Sequence, residues 1–404
     1  MKYDIFLSIC QTEVDGHTPS ERVMFANFFD QVKLADELGF GTAWIAETHL
    51  SCEIQKHTAE PVIPHFKGEI GLNTDILQMA HVVFSRTRRI AVGSAIRNIL
   101  CNGGPIAHAE AMRTFLTLQE MLGSQEDRHL EIGFAAGRFE FSNRPYGIVP
   151  RDPVEKAAWP VVKGKVLLEA TEIFLRLLRG EKISRADVPE QIMTAADFRT
   201  PEDWKKVREL AGQDEIKLKP FWNFEKVGVI PFESPLERLK LTIGTHDSKA
   251  QELANRYLPV GVFNLSITPP QVIEETHERM RRVYHKAGGP WRRDLMPRTA
   301  MVFLDATPGL SSEARTQKAR KAAEKAWANY WKAMEGTLDQ KKVDQAVGNT
   351  LAGSPEVVAQ QIRDKYHPED RLMLWFDFNN HDNEGIKQSM RAFMEQVTPF
   401  LGGG

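Results

Sequence analysis

The feature that most constrains this chain is an alternation of short apolar runs with long amphipathic ones, repeated eight times. Runs at 3–9, 42–47, 89–96, 129–134, 238–243, 259–264, 299–304 and 371–378 are bounded by turn residues and read as buried strands. Helical periodicity marks 20–38, 75–85, 105–122, 161–178, 247–257, 269–287, 311–334 and 384–397. Ser20-Glu21, Asp75 and Thr268-Pro269-Pro270 are helix-opening signals, and Gly39 stands where a helix stop belongs. Eight strand–helix units predict an α/β fold, a (β/α)8 TIM barrel with enlarged loops on its C-terminal face, spanning residues 1–404 as one domain. The alternative, a doubly wound open sheet, would carry G-x-G-x-x-G between a strand and its helix. The chain has none, and Gly39-Phe40-Gly41 lies between helix and strand, the reverse order.

Three segments exceed ordinary connections: 51–73, an insertion at 180–237 with an expected helix at 201–210, and 335–368, with a helix opened by Ser354-Pro355-Glu356. Long loops that follow barrel strands build the functional face. A formal net charge of -2 supplies no field for a polyanion, so nucleic acid is not an expected partner. No apolar run approaches the roughly 18 residues of a membrane span, and residues 1–10 are too short for a secretion signal. The three cysteines, Cys10, Cys52 and Cys101, form no C-x-x-C pair, which points to a reducing, cytoplasmic setting. His57, Glu60 and His65 lack a metal-ligand spacing, so no metal is expected.

Several motifs carry a family likeness. Ala35-Asp36-Glu37-Leu38-Gly39-Phe40, then Trp44-Ile45-Ala46-Glu47-Thr48-His49, resembles the first helix and second strand of the bacterial luciferase-like flavin-dependent monooxygenases. Ala91-Val92-Gly93-Ser94-Ala95-Ile96 is similar to that family's third strand, and His129 through Gly137 to its fourth strand and glycine turn. Ala352-Gly353-Ser354-Pro355-Glu356-Val357 and the closing Val397-Thr398-Pro399-Phe400-Leu401 follow in family order. The resemblance covers nearly the whole chain apart from 180–237.

The resemblance implies a two-component monooxygenase. Reduced FMN would arrive from a separate flavin reductase, react with O2 to a flavin C4a-peroxide, and oxygenate a small organic substrate. It also implies a homodimer formed through early helices. Two alternatives share the barrel: an F420-dependent hydride-transfer oxidoreductase, and a non-catalytic flavin-binding or partner subunit.

Glu47, Thr48 and His49 end the second strand and are the catalytic candidates. In luciferase the first histidine of Glu-His-His is catalytic, and that position is Thr48 here. Thr48 cannot serve as a base at neutral pH. His49 is then the nearest titratable group, acting on a proton or bonded to a loop. Family members often hold a non-proline cis peptide at the end of strand three, which by carry-over is Ala95–Ile96. Ser94, Ala95, Ile96 and Arg97, with Ala135 across on strand four, are expected around the flavin. Arg97 either balances charge at the ring or is an exposed loop arginine. The family's phosphate loop falls at Thr245, His246, Ser248 and Lys249, with Asp247 a probable helix N-cap. Ala136 occupies the place of luciferase's phosphate arginine, leaving Lys249 or Arg138 to supply charge. Cys10, Phe221, Trp222, Phe224, Asp377, Asn379, Asn380 and His381 are open between site and packing roles.

Overall fold

The computed structural model describes residues 1–50, 75–122, 128–333 and 340–402. Its strands are β1 (Lys2–Leu7), β2 (Thr42–Ala46), β3 (Ala91–Asn98), β4 (Leu130–Ala135), β5 (Ile192–Met193), β6 (Ile216–Lys217), β7 (Leu239–Ile243), β8 (Val260–Val262), β9 (Arg298–Leu304), β10 (Leu351–Gly353) and β11 (Arg371–Trp375). The helices used below are α1 (Glu21–Leu38), α2 (Ile76–Arg86), α3 (Gly104–Met121), α4 (Trp159–Leu178), α5 (Pro201–Ala211), α6 (Ser248–Ala254), α7 (Pro270–Val283), α8 (Ser312–Ala333), α9 (Pro355–Lys365) and α10 (Asn383–Ala392). The eight expected strands are all present. With β10 they make one curled sheet of nine parallel strands, ordered β10-β9-β11-β1-β2-β3-β4-β7-β8. β5 and β6 form a small antiparallel ladder within the 180–237 insertion, which also carries α5.

Local chemistry sets the element ends. α1 opens on Ser20, whose side chain accepts from the Val23 N–H, and closes on Gly39 at φ 87°, a left-handed position that glycine takes without a Cβ clash. Asp36, near the end of α1, accepts the backbone N–H groups of Arg88, Arg89 and Ile90. That clamp fixes the entry to β3 and explains the acidic residue in the Ala35–Gly39 motif. α6 is shorter than its expected 247–257. Asn255 ends it, donating to the Val260 carbonyl and accepting the Val260 N–H, while Pro259 bars further helix. α7 stops at Val283 and a separate 3-10 turn takes Lys286–Gly288. α10 passes into a π turn at Phe393–Val397. β10 was not anticipated, since three residues carry no readable periodicity.

β9 shares its outer edge between two partners. Low on the strand, Asn264 beyond β8 bridges Arg298, with Asn264 N–H to Pro297 O at 2.9 Å and Thr299 N–H to Asn264 O at 3.0 Å. Higher up, β10 pairs with Val302 to Leu304. Ser354, next after β10, is pinned by its N–H to Thr316 Oγ1 at 3.1 Å and its hydroxyl to Ser312 at 2.7 Å, both on α8.

Inward side chains form layers, because alternate residues of a strand face one side. At the N-terminal end Arg371 lies between two carboxylates: Nε to Asp4 at 2.6 Å, and two nitrogens to Glu131 at 2.9 and 2.8 Å. Asp4 also accepts Trp44 Nε1–H at 2.7 Å and the Thr42 N–H at 3.0 Å. Above them Phe6, Trp44, Phe263 and Met373 fill the middle layer. Gly93 must be bare there, since a Cβ would fall 2.7 Å from the Trp44 ring. Burial pushes the Glu131 carboxyl up, but Arg371 and His129 outweigh it and hold it below the ordinary glutamate value.

Arg371→Met should cost about 3–5 kcal/mol in denaturant unfolding, because it removes the guanidinium that two buried carboxylates share. The pH course has a definite sign. A carboxyl depressed in the folded state stabilises fully above its unfolded pKa and loses that contribution as pH falls. Wild-type stability should therefore fall steeply below the ordinary glutamate value of 4.5, and Glu131→Gln should flatten that decline. An unchanged acid limb in Glu131→Gln would refute the assignment.

Candidate functional site

The C-terminal ends of the strands carry four non-glycine residues at positive φ: Ile9 (43°), Leu50 (67°), Asn102 (53°) and Asn379 (48°). A β-branched residue such as Ile9 in this region is strained, and such residues gather at functional rims. The peptide Ala95–Ile96 is cis, at the position carried over from the family. There the β3–β4 ladder shifts register between Ser94 and Arg97, placing an extra residue on β3.

Beside that bulge lies a buried polar cluster. Glu47 Oε1 meets His49 Nε2 at 2.7 Å and Arg97 NH1 at 3.0 Å, and Glu47 Oε2 accepts the Ser94 hydroxyl. Arg97 Nε donates to His108 Nδ1 at 2.8 Å, and His108 Nε2 meets the Cys101 carbonyl at 2.9 Å. Asn102 Nδ2 reaches His49 Nδ1 at 3.1 Å. Burial raises the Glu47 carboxyl, but Arg97, His49 and Ser94 together hold it below the usual range. Burial, then the neighbouring Arg97, lowers His108 to about 3. His108 is thus neutral, its Nε2–H donating to Cys101 O and its Nδ1 accepting from Arg97. The partners of His49 select the tautomer that donates Nε2–H to Glu47 and accepts from Asn102 at Nδ1.

Strand alternation places this cluster on the wall that faces α3. Thr42, Trp44 and Ala46 point inward on β2, whereas Glu47 bonds Ser94 and Arg97, and Arg97 meets His108 of α3. Arg97 is 4% exposed, so the alternative of a solvent-facing loop arginine does not hold. Thr48 is half-buried and next in the inward series.

The inward residues of the upper layer differ by side. Ala46, Ala95, Ala135 and Gly244 line one half. The approach there is close: a Cβ on Gly244 would lie 2.5 Å from Cδ1 of Ile96 and 3.4 Å from Cβ of Ala135. The other half is aromatic. Trp375 stands there, 4.4 Å between ring centroids from Phe6 of the middle layer, and Phe378 packs on Trp375, Trp327, Tyr330 and Phe303. Trp375 Nε1–H donates to Ser8 Oγ at 2.7 Å, and Ser8 in turn donates its N–H and hydroxyl to Asp377 at 3.0 and 3.2 Å. Burial with no cation nearby pushes Asp377 up to about 6, and burial with that carboxylate pushes Cys10 to about 11.

The structure brings Glu47, His49, Ser94 and Arg97 into one cluster, with Thr48, Ala95, Ile96 and Ala135 around it. The loop of Thr245, His246, Ser248 and Lys249 starts at Gly244, against Ile96. Asp247 is the N-cap of α6, as expected. Lys249 is committed elsewhere. It meets Asp197 of the insertion at 3.1 Å, and Lys165 meets the same oxygen at 2.9 Å, in a cleft of about 650 Å³. Arg138 lies against Tyr330. Phe221 packs under Arg151 at 3.8 Å, a packing role. His381 is held by the Thr12 carbonyl. His57, Glu60, His65 and Cys52 lie outside the described residues, among which no group of three potential metal ligands occurs. His108, Asn102 and Ser8 were missed; only a polar residue inside an apolar helix face, His108, signalled itself in sequence.

A family model described as luciferase-like monooxygenase matches residues 1–368. Comparison with curated protein sequences gives no match. Among solved structures, monooxygenase RslO1 from Streptomyces bottropensis is 18% identical with a TM-score of 0.66, covering 99% of each chain. An F420-dependent secondary alcohol dehydrogenase is 13% identical with a TM-score of 0.57, covering 99% of this chain and 98% of its own. The oxygenating constituent of 3,6-diketocamphane monooxygenase from Pseudomonas putida, in complex with FMN, is 14% identical with a TM-score of 0.55, covering 99% and 98%. At these identities the likeness establishes the fold. No helix among the described residues is long and apolar enough to cross a membrane.

Arg97→Met should strand the buried Glu47 charge and cost about 3–5 kcal/mol. Arg97→Met combined with Glu47→Gln should recover a large part of that loss in the same unfolding assay. Strict additivity of the two changes would show that they do not interact.

Proposed function

The chain belongs to the luciferase-like monooxygenase family, and on that premise we propose a two-component flavin-dependent monooxygenase on a closed (β/α)8 barrel, acting on a small organic substrate. The observation that carries this reading is the divided upper layer. Ala46, Ala95, Ala135 and Gly244 carry nothing beyond Cβ on one side, which suits a flat ring system, and the half-buried Trp375 stands on the other side. The Asn264 bridge between β8 and β9 supports closure.

Reduced flavin, when bound, activates molecular oxygen; the protein's part is to bind, orient, exclude water and manage protons. The Glu47–Arg97–His108 cluster braces the β3 bulge on which the ring would rest. Thr245 and Ser248 offer hydroxyls to the FMN phosphate, with Lys249 and His246 beside them. Asp197 already shares the Lys249 charge, so its contribution there is reduced.

Two groups at the rim suit proton work. His49 can take a second proton only when Asn102 turns its carboxamide to present oxygen. Asp377, raised toward 6, can carry a proton into the neutral range. A separate reductase supplies the reduced flavin, and a homodimer and a cytoplasmic setting complete the proposal.

Under anaerobic titration the protein should bind reduced FMN more tightly than oxidised FMN, and then consume oxygen when a substrate is present. Preference for F420 with no oxygen uptake would make it a hydride-transfer enzyme instead, and flavin binding without substrate-stimulated turnover would make it a carrier. His49→Asn should keep FMN binding and lower coupled product by about 10²–10⁴-fold. Normal coupling in that variant, with loss in Asp377→Asn, would pass the proton role to Asp377. Lys249→Ala should weaken FMN by roughly 1–2 kcal/mol and leave riboflavin unaffected. Equal weakening of both ligands would remove Lys249 from the phosphate.

A further inference from the structure

Ala46, Ala95 and Trp375 rest on a common floor, the middle layer of Phe6, Trp44, Phe263 and Met373. Ala46 and Ala95 lie two and three strands away from β11, which carries Trp375. The alanines offer no surface beyond Cβ, whereas Trp375 is half-buried and presents part of an indole.

That indole is not free to turn. Its Nε1–H donates to Ser8 Oγ at 2.7 Å, and Ser8 is held in turn by Asp377 through its N–H and its hydroxyl. Phe6 lies 4.4 Å from the ring, and Phe378 meets it at 4.9 Å and 76°, edge to face. Two more half-buried rings pack on Phe378, which is itself 1% exposed: Tyr330 of α8 at 5.1 Å and Phe303 of β9 at 6.5 Å. Register pairs Trp375 with Met301, so Phe303, two residues on, continues the same inward face one layer higher. The wall is thus three rings braced on a fourth, with no flexible aliphatic chain among them. A ring carries a quadrupole, and a planar aromatic guest gains offset or edge contacts from it beyond the area it buries. A saturated guest of the same skeleton buries as much apolar area and gains none of these. Because Trp375 is already held in place, its contact costs no ordering on binding.

We propose that the substrate of this site is a planar aromatic compound whose ring lies against Trp375, with Phe303 and Tyr330 at its margin. The assignment rests on the oxygenase reading, in which the flavin takes the side of Ala46 and Ala95. The aromatic compound is then a co-occupant of the site and not a rival for the flavin's place.

Equilibrium dialysis of the FMN-saturated protein against 2-naphthol and decahydro-2-naphthol tests it. The two share a skeleton and a hydroxyl and differ in aromaticity. 2-Naphthol should bind at least about tenfold more tightly, whereas a merely apolar pocket would take the saturated compound equally well. Trp375→Leu should weaken 2-naphthol about tenfold and change decahydro-2-naphthol by less than about twofold. Trp375→Phe, which keeps a ring, should retain most of the preference. Equal uptake of the two compounds by the wild type, displacement of 2-naphthol by FMN, or wild-type 2-naphthol affinity in Trp375→Leu would each overturn the proposal. FMN binding without aromatic preference would remove the proposed substrate class and leave the oxygenase reading standing. Aromatic preference in a protein that binds FMN in neither redox state would do the reverse.

Discussion

Everything in the lower half of the sheet is arranged around the Arg371 guanidinium. It joins β11 to β1 through Asp4 and reaches across the interior to Glu131 on β4. Taking three charges out of water is expensive, and that expense is met only if every donor and acceptor finds its mate. Asp4 consequently also takes the Trp44 indole and the Thr42 amide of β2. A slip of one residue in β1, β4 or β11 would turn a charged group outward and bring Ile5, Ile132 or Leu372 inward, so the ionic layer fixes register as well as shape.

With register fixed from below, the residue sizes above it acquire meaning. Trp44 fills the middle layer so fully that Gly93 must be bare. One layer further up, alanines and a glycine on β2, β3, β4 and β7 oppose the Trp375 ring on β11. The polar cluster of Glu47, Arg97 and His108 lies behind the small-residue half, between strand and helix, where each of its charges is paired. Its place is that of a brace for the wall, while Thr48, Ser8 and Asp377 continue the inward series of their strands.

Most of this architecture is legible in the sequence. The eight strands can be read because each is a run of branched and aromatic residues bounded by turns, and the cis bond at Ala95–Ile96 follows by carry-over from the family that the strand-three motif resembles. What could not be read depended on distance in sequence. Ser8 and Asp377 are 369 residues apart and reveal nothing until β1 and β11 pair. Lys249 looked like a phosphate ligand because its loop did, and only packing of the insertion shows Asp197 against it. Arg97 was equally consistent with solvent or interior. His108, eleven residues on, decides the matter, but nothing in the intervening chain announces the contact. β10 escaped because its pairing is conferred by the neighbouring strand and not by its own pattern.

The divided edge of β9 has a mechanical consequence. Elsewhere neighbouring strands are laced over three to five residues, whereas β8 and β9 touch through a bridge at Asn264, and β10 takes the remainder of that edge. A curled sheet whose strands are laced along their length everywhere but at one junction is compliant at that junction. Distortion of the sheet will concentrate there, apart from the ladders of β2, β3 and β4 that hold the Glu47 cluster, while Ser354 ties the end of β10 to α8. The side of the molecule that must keep its geometry and the side that can breathe are thereby separated by the way one strand divides its hydrogen bonds.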